Sequence, residues 1–143
     1  APTTLKARAA GLKELVNVTE KNIPMIHAAL ATTRDYLKTH RDPTRRFLRA
    51  YLEGIKIAVT DPEFTKQMIG KYTKTTDSKD LESSYQAFLP AWERLPIVPA
   101  AAVQTMLNFA SHPGAKAAKP ESLIDNSALT EIDKSGFVDK LYK

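Results

Sequence analysis

A chain of 143 residues can bury one core without help from disulfides or metals, and 43% hydrophobic with 26% charged residues is an ordinary globular balance. No apolar run reaches the roughly 20 residues of a membrane-spanning helix, and the lack of cysteine excludes disulfides, thiol catalysis and cysteine-ligated metal. The net charge of +5 is uneven: residues 1–60 hold 11 Lys/Arg against 5 Asp/Glu, or +6, and residues 61–143 hold 10 against 11, or −1.

The opening residues, APTTLKARAAGLK, show neither an apolar signal core nor an initiator methionine, so a fragment or processed chain is expected. Pro2 to Ala10 reads as a short helix with Leu5 inward and Gly11 as its stop. Leu12 to Val18 alternates loosely and reads as a strand, with continuation of the helix as the alternative. Ile23 to Thr33, IPMIHAALATT, is apolar and uncharged and reads as a buried strand, although its alanines also suit a helix. Arg34 to His40 is expected to be a short helix with Tyr36 and Leu37 inward.

Asp42 to Thr60 carries the strongest helical pattern. Asp42 suits the cap and Pro43 the first position, where a missing N–H costs nothing. Phe47, Tyr51, Ile55 and Val59 recur every four residues with Leu48 and Leu52 beside them, a broad apolar stripe expected to face the core. Asp61-Pro62 opens a second helix with the same syntax and a stripe of Phe64, Met68 and Tyr72. Asp77 is expected to cap a helix from Ser78 to about Leu89, with Leu81, Tyr85 and Phe88 inward.

Pro90 to Pro99, PAWERLPIVP, reads as an ordered connector, because each proline drives its predecessor towards extended geometry. Ala100 to Ser111 is helical by the spacing of Val103, Met106, Leu107 and Ala110, and Pro113-Gly114 breaks it. Ala115 to Pro120 reads as a small basic linker. Leu129 and Ile132 mark a short helix ended by Gly136, and Phe137, Val138, Leu141 and Tyr142 dock a last helical turn. The fold class expected is mainly α, with one or two short strands near the N-terminus.

Motifs for chemistry are sparse. His27, His40 and His112 have no spacing that converges on a metal, no glycine-rich phosphate loop or nucleophile elbow occurs, and carboxylate pairs such as Asp77/Asp80 sit where caps belong. Catalysis, metal and cofactor are therefore not expected. Lys38, His40, Arg41, Arg45, Arg46 and Arg49 form the densest basic cluster. The aromatics beside it belong to the apolar stripe, and pairing of Arg45 and Arg49 with Asp42 and Glu53 is an alternative use of the charge, so no nucleic-acid partner is expected. Trp92, between prolines, suits either the wall of a ligand cleft or a plug in the core.

The run ATTRDYLKTHRDPTRRFLRAYLEGIKIAVTDPEFTKQMIGKYTKTTD resembles the C-terminal half of solute-binding proteins of bacterial ABC importers. The branch is the nitrate/sulfonate/taurine-type or thiamine-precursor-like one. PTTLKARAAGLKELV before it, FLPAWERLPIVPAAAVQTMLNFA after it and IDNSALTEIDKSGFVDKLYK at the end extend the likeness over nearly the whole chain. The resemblance implies part of a two-lobed type II periplasmic binding fold, α/β in an intact parent of about twice this length. Residues 1–22 would end the second lobe, residues 23–33 would return near the hinge, and residues 34–143 would be the helical C-terminal part of the first lobe. It implies an extracytoplasmic protein whose lobes close on a small organic solute and hand it to a membrane permease. His27, Thr32, Thr33, Trp92 and Glu93 are the positions expected near solute. With the sheet partners of residues 12–33 absent, self-association through that stretch is expected. A helical interaction or scaffold domain is the alternative.

Overall fold

In the computed structural model the chain is described over residues 2–16, 21 and 23–143, and it is mainly helical. Among the described residues there is no strand. The segments expected as strands, 12–16 and 23–33, are irregular instead, and residues 17 and 18 lie outside the described residues. The physical reason is that a strand needs a neighbour, and no other part of the described chain offers an edge. Ile23, Met25 and Leu30 are consequently 49%, 50% and 56% exposed, where a buried segment was expected.

Helix α1 (Pro2–Ala9) ends at Gly11, whose φ of 82° is the left-handed stop expected of it. The Leu5 side chain lies outside the described residues. Helix α2 (Arg34–Thr39) is capped by Thr33, whose hydroxyl accepts from the Tyr36 N–H at 3.2 Å. Leu37 is half-buried as expected, whereas Tyr36 is exposed and stacks on His40 at 4.3 Å between ring centres.

Helix α3 (Arg41–Thr60) begins one residue before the expected cap. His40 stands at the cap position without a side-chain cap bond, and Asp42 lies inside the first turn, where its carboxylate faces Arg46 at 3.3 Å. Helix α4 (Pro62–Thr73) and helix α5 (Ser78–Phe88) start as expected. Asp61 accepts from the Phe64 N–H at 3.0 Å, and Asp77 accepts from the Lys79 and Asp80 N–H groups at 2.9 Å. Between α4 and α5 the chain passes tightly over Gly70, where a Cβ would sit 2.9 Å from the Thr75 carbonyl oxygen. Lys66 ties the pair together, donating to Glu82 at 2.8 Å and meeting Glu63 at 2.7 Å. Those two hydrogen bonds raise the lysine well above its usual range, and the Lys66 ammonium lowers Glu82.

After a 3-10 turn at Leu89–Ala91 the proline connector leads to α6 (Ala100–Phe109), which buries Ala102 and Val103 but leaves Met106 exposed. The expected linker is instead two 3-10 segments, Pro113–Ala117 and Pro120–Leu123, which bury Ala115 and Pro120. Helices α7 (Ser127–Lys134) and α8 (Phe137–Leu141) meet at Gly136, φ 74°.

The core joins α3 to the end of the chain. Leu52, Ile55, Leu129, Ile132 and Val138 form one buried cluster, with Leu48, Trp92, Leu95, Phe137, Leu141 and Tyr142 packed around it. Each fully buried aliphatic there contributes roughly 1.5–3 kcal/mol. The covered row of α3 is therefore Leu48, Leu52, Ile55 and Val59. Phe47 and Tyr51, expected inside, are 55% and 43% exposed. On α4, Thr65 is buried and Met68 and Ile69 are half-buried, while Phe64 and Tyr72 of the expected stripe face out.

This leaves a large open surface. The chain exposes 10837 Å², whereas a folded monomer of its mass exposes about 7,400 Å². Seven of the ten Phe and Tyr side chains, Tyr36, Phe47, Tyr51, Phe64, Tyr72, Phe88 and Phe109, are among the exposed groups.

Candidate functional site

The residues expected near solute fall into three places. Trp92 and Glu93 follow the 3-10 turn, where the Trp92 N–H reaches the Leu89 carbonyl at 3.3 Å and the Glu93 N–H reaches that of Ala91 at 3.2 Å. The indole is half-buried, packs on the core cluster and lies 5.7 Å from the Tyr85 ring. Trp92 thus packs between α5 and the core. Glu93 beside it is exposed.

His27 is exposed, with its ring 5.9 Å from that of Phe88 at the C-terminal end of α5, the end from which the Trp92 turn departs. Thr33 is occupied as the cap of α2, and Thr32 is exposed. His27 and Trp92 thus share one end of α5, while the two threonines belong to the start of α2. A concavity of about 310 Å³ lies elsewhere, along α1, lined by Thr3, Thr4, Ala7, Arg8, Leu12, Lys13 and Glu14, and takes in none of the five.

What holds the Trp92 connector in place was not visible in the sequence. Asn126, which precedes α7, accepts from the Val98 N–H at 3.1 Å and donates to the Val98 carbonyl at 3.0 Å, so one side chain serves both backbone groups. Arg94 lies over the Tyr142 ring at 4.1 Å and 3.8 Å from Asp139, which fastens the connector to α8. These partners stand 28 to 48 residues apart in the chain, a separation at which no local spacing rule operates.

A second polar junction closes the start of α2 and α3 against the C-terminal region. Arg34 donates to the Ser122 carbonyl, and Arg41 pairs with Glu131 at 3.1 Å. Asp125 accepts from the Ser127 hydroxyl at 2.6 Å and from its N–H at 2.9 Å. Those bonds, with the nearby Arg41 and Arg34 charges, hold Asp125 below the usual carboxylate range.

The basic cluster is largely engaged. Lys38 faces Asp35 at 3.6 Å, Arg46 faces Asp42, Arg41 faces Glu131, and the Arg49 guanidinium covers the Phe137 ring at 4.4 Å. Asp42 therefore takes Arg46, where pairing with Arg45 was the alternative use of the charge. Among the described residues no three histidine or acidic side chains converge as a metal site, and no helix is long and apolar enough to cross a membrane. No protein-family model, no curated protein and no solved structure matches the chain.

Proposed function

We propose that this chain is a helical part of an extracytoplasmic solute-binding protein that delivers a small organic solute to an ABC importer permease. The observation that carries the reading is the open apolar surface. Helices whose one face is packed and whose other face keeps its aromatic rows uncovered suit a layer laid over a sheet that the rest of a type II periplasmic binding fold would supply. The resemblance spread over nearly the whole chain supports the same reading. In it, residues 23–33 return near the hinge and His27, at the end of α5, stands closest to the cleft. Trp92 then acts from behind, as a wedge that holds the connector rather than as a ligand wall. The role is binding and delivery, without catalysis, cofactor or nucleic acid.

The same exposed aromatics also favour a second reading, a helical protein-interaction module. The two are separated by the intact parent polypeptide. Thermal-shift measurements against panels of sulfonates, nitrate and pyrimidine-like solutes are expected to raise Tm with one class. A parent without an α/β lobe, or one whose Tm no solute moves, would overturn the transport reading in favour of the interaction module.

A further inference from the structure

Residues 23–33 form the longest described stretch without regular structure, and they contain no charge. Among the described residues, no backbone N–H or C=O from Ile23 to Thr32 takes part in a backbone–backbone hydrogen bond. Ile23, Met25 and Leu30 are about half exposed, and the aromatic neighbour of the segment is Phe88, against His27. An apolar, uncharged segment whose backbone finds no backbone partner among the described residues is the template for strand addition.

We infer that two copies of this chain associate through residues 23–33, paired antiparallel about Ala28. Charge selects the occupant and the direction. Residues 23–33 carry no charge although they lie in the basic part of the chain, so two copies meet there without like-charge repulsion. Pairing about Ala28 sets Ile26 against Leu30 and Met25 against Ala31, which covers apolar groups with apolar groups. It also sets Lys21 of one copy against Asp35 of the other, both exposed. A parallel arrangement would bring Lys21 to Lys21 and Asp35 to Asp35 instead.

Helix α5, whose Phe88 lies against His27, is the element beside the paired segments, and two strands alone need such a neighbour for stability. The transport reading is the competing use of this segment, since a parent's own sheet would then claim it.

Because the chain has no cysteine, single-cysteine variants at each position from Met25 to Ala31 report the pairing directly. Directly opposed Cα atoms in an antiparallel pair lie about 4.5–5.5 Å apart, inside the range a disulfide bridges. Oxidative cross-linking is expected to peak at Ala28→Cys and to fall on both sides. Sedimentation is expected to show a dimer for the wild-type chain at high micromolar concentration and a monomer of unchanged helicity for Leu30→Lys. Should Leu30→Lys lose helicity, Met25→Lys repeats the test at the other exposed apolar position. A wild-type chain that stays monomeric, a flat cross-linking profile, or lysine variants that remain dimeric through another face would each overturn the inference.

Discussion

The two ends of this chain fold by different means. From Arg41 onward, distant segments close on one another: α3 meets α7 and α8 across some eighty residues, and the Leu52, Ile55, Leu129, Ile132 and Val138 cluster results. Before Arg41, no described residue is buried, and the apolar side chains of residues 12–16 and 23–33 stay in reach of water. Hydrophobic content therefore does not separate the regions. The difference is that the C-terminal region contains its own partners, and the N-terminal region does not.

The largest expected effect tests that contrast by side-chain truncation. Leu52→Ala should cost about 3–5 kcal/mol, as fully enclosed leucines do, while Leu30→Ala in dilute solution should cost less than about 0.5 kcal/mol. Urea unfolding followed by Trp92 fluorescence measures both, and similar losses would erase the distinction between the regions. Next, Asn126→Ala strips two partners from Val98 and should cost about 1–3 kcal/mol. A loss near zero would mean that water replaces the clamp.

Capping sharpens the comparison at smaller scale. Asp77→Ala should cost about 1 kcal/mol, because two N–H groups lose their acceptor. Asp42→Ala removes an exposed ion pair and should cost under about 0.5 kcal/mol. Equal costs for the two would return Asp42 to the capping role expected of it.

The smallest effect is a pH dependence at Asp125. Its folded pKa lies below the unfolded value of about 3.9, so its contribution is fully present above that pH. It is lost as pH falls through the folded pKa. Ser127→Ala removes the first cause of the depression and should move the Asp125 titration upward, observable by carbon NMR. An unmoved titration would assign the depression to the backbone N–H of residue 127 and to Arg41 and Arg34 instead.

These contrasts explain what could be read from the residues alone. Asp61 and Asp77 were legible as caps because capping is settled within three residues. The existence of α3 was legible from its period. Which half of its broad apolar arc would be covered was not, because α7 and α8 decide that from the far end of the chain, and they take Leu48, Leu52 and Ile55 rather than Phe47 and Tyr51. The strand expected at Ile23–Thr33 did not form, because composition cannot supply the neighbouring strand that would order it. Trp92 was recognisable as an ordered aromatic, but its packing on Tyr85 and the core was not, because those partners come from other elements.

Amide hydrogen exchange at protein concentrations too low for self-association tests the division most directly. The account predicts that amides of Leu52, Ile55 and Ile132 exchange only through global unfolding, while those from Met25 to Thr32 exchange at the rate of an unstructured peptide. Protection of the Met25 to Thr32 amides in the monomer at the level of α3 would contradict it, because the N-terminal region would then contain partners of its own.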